Sequence, residues 1–168
     1  VTSSNNLVMG VRYDHVFQKV ALIGNAIPRD ILRFENHFNN INLSASYNQE
    51  LCERTNIKLN IGFATRNPAI NELYSSGLHQ GVSGIEEGTT GLLPEKGIKG
   101  VFEINSTRLE KFDFRALAFY HNIRNYIFLN PQNEFRLTIR GAFPVFLYDQ
   151  TNAAIFGSEI FFRYEPMN

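Results

Sequence analysis

Apolar and polar residues alternate one by one along three short stretches of the chain. These stretches span residues 7–14, 41–48 and 57–64. In the last, Ile57, Leu59, Ile61 and Phe63 occupy one phase, and polar or small residues occupy the other. Successive side chains of a β-strand point to opposite faces, whereas a helix repeats every 3.6 residues. The pattern therefore predicts three strands, each with one apolar face.

Four further stretches favour strands with a less regular alternation. Leu117 and Phe119 interrupt the polar phase of one of them, which indicates either a β-bulge or a patch covered by protein. No stretch has a convincing helical period. The whole chain therefore predicts an all-β antiparallel meander of about seven strands, and the additional four lie at residues 98–109, 112–128, 135–148 and 153–164.

The predicted connections between these strands alternate in length. In chain order they are long at 15–40, short at QELCERTN, long at 67–97, short at RLEKF, intermediate at NPQN and short at DQTN. A transmembrane β-barrel has short periplasmic turns and long extracellular loops. A soluble antiparallel β-sandwich has no reason to differ so consistently at its two ends. The pattern alone leaves both folds open.

Composition narrows the functional classes. Lys and Arg together number 16, as do Asp and Glu, so no net field attracts nucleic acid, and we expect no nucleic-acid partner. Cys52 is the single cysteine, which allows no disulfide framework. The sequence GVSG at 81–84 lacks the spacing of a Gly-x-Ser-x-Gly nucleophile elbow, and neither HExxH nor CxxC occurs. We expect neither an enzyme nor a bound cofactor.

The stretch FATRNPAINELYSSGLHQG at 63–81, with IEEG and LLPEKG after it, resembles a segment of the barrel of TonB-dependent outer-membrane receptors. The family pattern is a strand ending in Arg-x-Pro, then Glu-Leu-Tyr-Ser-x-Gly-x-His, a Glu-Gly pair and Leu-x-x-Glu. AFYHNIRNYIFLNP, FGSEIFFRY and GVRYDHV extend the resemblance over nearly the whole chain. The positions that carry the motif are Arg66, Pro68, Glu72, Leu73, Tyr74, Ser75, Gly77, His79, Glu87, Gly88, Leu92 and Glu95.

The resemblance implies that residues 1–168 are a central part of such a barrel, lacking the plug domain and the C-terminal strands. It implies a receptor in the outer membrane of a Gram-negative bacterium that imports a scarce nutrient. The cargo would be a ferric siderophore, haem, another metal complex or cobalamin. The implied partners are this ligand, membrane lipid and, through other parts of the protein, the TonB energy-coupling complex. The alternative is a soluble β-sandwich that binds carbohydrate or protein.

Four residues are candidate ligand contacts: Arg66, directly before the long 67–97 connection, and Tyr74, His79 and Glu86 within it. His79 can bind a metal or haem iron through one ring nitrogen. If His15 and His37 approach it in three dimensions, such a cluster with Glu86 or Glu87 could form a metal site. The structural alternatives are a solvated His79, an Arg66 paired with Glu72 or another loop carboxylate, and a Tyr74 packed within the loop or in an interface belt. The glycines of this connection suggest a segment that moves on ligand binding.

Overall fold

The computed structural model describes residues 5–23, 30–52, 54–109 and 112–164, with the side chains of 108 and 109 excepted. Nearly all of these residues belong to strands. The single short helix lies in the connection that contains the receptor-like motif. The elements are β1 Asn5–Ile23, β2 Ile31–Cys52, β3 Thr55–Arg66, α1 Ile70–Tyr74, β4 Ser76–His79, β5 Gly84–Glu87, β6 Glu95–Leu109, β7 Phe112–Thr138 and β8 Gly141–Tyr164.

All the described strands form one sheet, in the order β1-β2-β3-β6-β7-β8-β5-β4. The six long strands form an antiparallel meander. The short strand β5 then pairs in parallel with β8, and β4 pairs with β5 at the edge of the sheet. A sandwich requires two sheets that pack face to face, so this single-layered arrangement confirms the all-β meander and excludes the sandwich for the described part of the chain.

The register of the strands separates an apolar face from a polar face. Tyr47, Leu59 and Phe102 lie in one row across β2, β3 and β6. One residue along, Asn48, Lys58 and Glu103 form a row on the opposite face. The apolar side chains are open, and Val11 of β1 is 77% exposed. No described helix has the length and apolar character needed to cross a membrane.

The sheet has eight described strands, close to the predicted number of about seven, but two predicted turns are wrong because they lie inside strands. NPQN belongs to β7 and DQTN to β8, and the chain reverses at 139–140 instead. Register shifts between Ile123 and Tyr126 and between Pro131 and Phe135 place β-bulges in β7. A bulge accommodates a residue that does not fit the ladder, such as Pro131, without ending the strand. The predicted strands 112–128 and 135–148 are therefore parts of one long hairpin.

The connection predicted at 15–40 is largely strand as well. β1 and β2 remain paired from Asn5 with Gln49 to Ile23 with Ile31, with no register shift. The two hairpins β1–β2 and β7–β8 thus extend beyond the ends of β3 and β6 as long arms. Both arms and the 67–94 connection lie at the same end of the sheet, opposite the short turns after Cys52 and Leu109. One end of the sheet is long and the other short, as predicted, but paired strands form much of the long end where loops were predicted.

The irregular phase at Leu117 and Phe119 is not a bulge. Both residues lie in an unbroken stretch of the ladders that join β7 to β6 and β8. Phe119 pairs with Val101 and Gly157, and its ring lies so close to Gly157 that a methyl group there would stand 2.8 Å from its Cε1. The second interpretation, an apolar patch covered by protein, remains a prediction.

Buried side chains concentrate at the end of the sheet that carries the arms. The fully buried apolar residues among those described come from the 67–94 connection and from the parts of β7 and β8 beside it. They are Leu73, Ile85, Leu92, Ile123, Ile127 and Val145. The small core of this structure therefore lies around the receptor-like motif and not along the regular parts of the long strands.

Candidate functional site

The Arg-x-Pro motif ends β3 and leads into helix α1. Pro68 is almost fully buried, and its carbonyl accepts a hydrogen bond from Nε2 of Gln18 on β1. Proline donates no ladder hydrogen bond, so the strand ends before it. The carboxylate of Glu72 then accepts the backbone N–H of Ala69 at 2.7 Å, which satisfies one of the donors left open at a helix start. Leu73 points inward and is 2% exposed.

Arg66 holds two carboxylates at once. Its Nε and Nη2 donate to the two oxygens of Glu95 at 2.7 and 2.8 Å, and its Nη1 donates to Glu72 at 3.0 Å. Because β3 ends at Arg66 and β6 begins at Glu95, this cluster ties both strand ends to α1. The predicted pairing of Arg66 with Glu72 is confirmed, and Glu95, a member of the motif, is its second partner.

The same cluster sets the protonation of Glu95. Burial alone raises the pKa of this carboxyl, but the hydrogen bonds from Arg66 and from the backbone N–H of Ile127 outweigh burial and hold the pKa below its usual range. Ile127 N donates to Glu95 Oε1 at 2.7 Å. Glu95 is therefore a carboxylate that joins three parts of the sheet, since its partners belong to β3 and β7.

The Glu-Gly pair of the motif allows two backbone segments to touch. A methyl group at Gly88 would stand 2.5 Å from the backbone of Leu73 and Tyr74, so only glycine fits there. Gly88 N donates to the carbonyl of Ser75 at 2.7 Å, and Thr89 N donates to that of Glu72 at 2.9 Å. Close packing, rather than conformational freedom, explains this glycine.

Strands β4 and β5 are held by the long arm of β8. Ile85 and Glu87 of β5 pair with Val145 and Leu147. At Gly84 a methyl group would meet the ring of Phe146 at 2.5 Å, so here too glycine permits a close approach. By contrast Gly77 has a φ of 147°, a conformation that favours glycine for its freedom. The hairpin is thus anchored through β5, and β4 is its outer strand.

His79 and Glu86 come together on this hairpin. Nδ1 of His79 lies 3.0 Å from Oε1 of Glu86, with the histidine side chain 63% exposed and the glutamate side chain 7% exposed. The other carboxylate oxygen of Glu86 accepts the hydroxyl of Tyr148 at 3.3 Å. Burial raises the pKa of Tyr148, and the nearby Glu86 raises it further. Tyr148 therefore keeps its hydroxyl proton and donates it to Glu86. Asn71 Nδ2 donates to the hydroxyl oxygen of Tyr148 at 3.3 Å.

Tyr74 has a structural environment. Its ring packs against Phe34 with centroids 4.9 Å apart, and its hydroxyl bonds the side chain of Asn36. Both partners belong to β2. The motif tyrosine therefore attaches α1 to the β1–β2 arm, and its packing partners lie on that arm and not within its own connection.

Several residues that complete the site carry no signal in the sequence. Gln150 exchanges two hydrogen bonds with the backbone of Leu93, at 2.9 and 2.7 Å, and also donates to the carbonyl of Asn125. Asn125 adopts a φ of 56° at the bulge of β7. These contacts and those of Tyr148 join positions far apart in the chain, so no local motif reveals them.

The larger metal cluster considered for His79 does not form. His15 and His37 lie near each other on the β1–β2 arm, with ring centroids 6.0 Å apart. Across the described residues, no three His, Cys, Asp or Glu side chains are grouped around a position for one metal ion. The structure thus places His79 with Glu86 and keeps the other two histidines apart from them.

Solved structures of outer-membrane receptors share this fold. The copper transporter OprC matches with a TM-score of 0.67 and 17% identity, over 97% of this chain and 25% of that chain. A double mutant of the Serratia marcescens hemophore receptor HasR, in complex with its hemophore HasA and haem, matches with a TM-score of 0.70 and 14% identity, over 96% and 29% of the two chains. The siderophore receptor PirA of Pseudomonas aeruginosa gives 0.57 and 17%, over 90% and 30%.

The chain thus spans between a quarter and a third of the length of these receptors. A comparison with curated protein sequences gave no significant match. The family model described as TonB dependent receptor-like, beta-barrel, matches residues 3–160. That match covers five of the six long strands, all but the last four residues of β8, and the whole motif connection, in a family of Gram-negative outer-membrane transporters. The chain belongs to the TonB-dependent receptor β-barrel family.

Proposed function

We propose that this chain is part of a receptor that imports a scarce metal complex through the outer membrane, energised by the TonB complex through other parts of the protein. The cargo we favour is an iron complex, either a ferric siderophore or haem. Another metal complex or cobalamin is the alternative cargo. The receptor catalyses no reaction and needs no bound cofactor. Receptors of the same fold are named for copper, for a hemophore with haem and for a siderophore, and these cargoes share a metal centre.

The observation that carries the proposal is the His79–Glu86 pair. An imidazole whose Nδ1 is held by a carboxylate presents its Nε2 as the metal-binding nitrogen, and such a carboxylate also makes the ring a better ligand. His79 is mostly exposed, whereas Glu86 is buried and tied to Tyr148. A fixed carboxylate beneath an open histidine suits a site for an incoming metal centre.

The other two candidates have supporting roles in this proposal. Arg66 donates to Glu72 and Glu95, and Tyr74 bonds Asn36 and packs on Phe34. We assign both to the platform that holds the hairpin of His79, and not to direct ligand contact.

The test is uptake and binding by the complete receptor in cells that depend on it for iron. We expect His79→Ala to weaken binding of the transported complex at least about tenfold, which corresponds to the loss of one contact of about 1.4 kcal/mol. The neighbouring Gln80→Ala is the matched control and leaves binding unchanged. Deleting TonB abolishes uptake but not binding. Equal binding by the His79→Ala and wild-type receptors would remove His79 from the site, and uptake without TonB would refute the transport mechanism.

A further inference from the structure

A pair of histidines lies on the outward face of the β1–β2 arm. This face continues the apolar phase of β1, because His15 and Phe17 follow Val11 and Tyr13 at every second position. The register pairs His15 with Asn39 and Phe17 with His37, so the two histidines are diagonal neighbours on one face of the hairpin. Both are exposed.

The distance between the two rings suits a shared metal ion. Their centroids are 6.0 Å apart with the planes inclined by 35°. A metal bound by imidazole lies about 2.0–2.1 Å from the nitrogen. Since the nitrogen is itself about 1.1 Å from the ring centre, two imidazoles on one ion can have centroids up to about 6.4 Å apart. The observed separation falls within this limit, so the two rings can share an ion when one nitrogen of each turns toward it.

The surroundings of each ring favour ligation. Nδ1 of His15 lies 2.8 Å from Oδ1 of Asn39, which leaves its Nε2 available as the ligand. The hydroxyl of Tyr13 donates to the same Asn39 oxygen at 2.8 Å and holds that amide in place. Phe17 stacks on His37 with centroids 4.5 Å apart and so limits its rotation. Two aromatic residues and one amide thereby orient the pair.

Charge on the same face does not oppose a cation. The nearest lysine along β1 on this face is Lys19, and its Nζ is 3.1 Å from Oε1 of Glu35. The two charges compensate each other, so the nearest described cation on this face is paired, and Arg33 lies two residues beyond Glu35, opposite Ala21. Imidazole nitrogens select Cu²⁺, Ni²⁺ and Zn²⁺ over Mg²⁺ and Ca²⁺, with Cu²⁺ bound most tightly.

We propose that His15 and His37 form a binding site for a divalent transition-metal ion. Cu²⁺ binds most tightly, and water completes its coordination. The site lies on the outer surface of the β1–β2 arm and is separate from the His79–Glu86 pair. It does not depend on the cargo proposed for His79.

The experiment titrates the complete receptor with Cu²⁺ in detergent, in a His79→Ala background that removes the other candidate. We expect one equivalent of Cu²⁺ bound by two nitrogen ligands in the electron paramagnetic resonance spectrum. Substituting either residue, in His15→Ala or His37→Ala, leaves one nitrogen and lowers the affinity of this site at least about tenfold. The control His121→Ala, whose residue lies on the opposite face of the sheet, changes neither measurement.

The variant His15→Gln separates ligation from folding, since its amide keeps a hydrogen bond to Asn39 but supplies no imidazole. It should lose Cu²⁺ binding while the hairpin keeps its resistance to proteolysis. An unaltered affinity and nitrogen count in the double variant His15→Ala/His37→Ala would overturn the proposal. So would a wild-type spectrum with a single nitrogen from this site.

Discussion

Two regions of the sheet suit different solvents. The wall is the regular part of the six long strands, and the mouth is the 67–94 connection with the strand segments beside it. In the wall, apolar side chains such as those of Met9 and Ile61 are 71% and 50% exposed. The buried apolar side chains lie instead in the connection at 67–94 and the strand segments beside it, as at Leu73, and the buried carboxylate of Glu95 there is paired. The wall therefore needs lipid to cover it, whereas the mouth is packed in the manner of a water-soluble protein.

This difference explains where the motif residues lie. In the wall, backbone ladders satisfy the polar groups, and any apolar outward residue serves a bilayer equally well. At the mouth, a helix, two short strands and two strand ends must meet in a fixed arrangement. That requires specific residues, such as Arg66, which donates to both Glu95 and Glu72, and Gly88, which lets two backbone segments touch. The recognisable motif therefore belongs to the packed region.

Truncation of a buried side chain should distinguish the two regions most strongly. We expect Leu73→Ala in the complete receptor to destabilise the mouth by about 2–5 kcal/mol, because it leaves a cavity against Leu92 and Ile127. The measurement is amide hydrogen exchange, which should increase in the 70–92 region and not in the wall.

The matched variant in the wall is Ile61→Ala. Lipid chains fill the space that it leaves, so we expect roughly half the effect, without the cavity contribution. Equal destabilisation by the two variants would mean that the wall and the mouth are packed alike.

Insertion of a charge should distinguish the two faces of the wall. We expect Leu59→Arg to destabilise the receptor by roughly 2–4 kcal/mol if the site lies near the midplane of the bilayer, because the arginine would face lipid. Asn60→Arg places the same charge on the opposite, polar face and should be much milder. The check is a urea titration of folding into lipid vesicles, and similar midpoints for the two variants would contradict the assignment of the lipid face.

Acid should loosen the mouth before it affects the wall. The pKa of Glu95 is lowered in the folded protein. Its contribution is therefore present above the unfolded pKa of about 4.3 and is lost as the pH falls through the lower folded value. Hydrogen exchange in the 70–92 region should rise below about pH 4.

The variant Glu95→Gln should lose about 1–2 kcal/mol of this stabilisation already at neutral pH, a modest figure because Arg66 is half exposed. Its exchange should also be less sensitive to acid. Glu134→Gln, whose carboxylate lies at an exposed arginine of the β7–β8 arm, is the control and should change little.

The sequence predicted the regular wall well, because lipid on one face imposes strict alternation. The alternating stretches at 7–14, 41–48 and 57–64 all lie within strands β1, β2 and β3. Beyond the part of each strand that faces lipid this constraint ends, and both faces of the strand can carry apolar and polar residues. For that reason the arm at 15–40 resembled a loop, and Pro131 resembled a turn although it lies in β7.

The site was predictable only where its contacts are local. Arg66 with Glu72 and His79 with Glu86 are a few residues apart, and both pairs are found. Tyr148 and Gln150 act on the same region from β8, more than fifty residues downstream. Strands β4 and β5 were missed for the same reason. Each has only four residues, one of them glycine, and each forms a strand only by pairing with the other or with β8.

The parallel pairing of β5 with β8 also fixes an order of assembly. Thr89 and Tyr148, which join the connection to β8, are 59 residues apart in the chain. Contacts over such separations form after local hairpins, because the intervening chain must first lose its freedom. We therefore expect the β7–β8 hairpin to form before β5 adds to its edge. In the maturing receptor, the segment that carries the motif should then be one of the last parts to take its final shape.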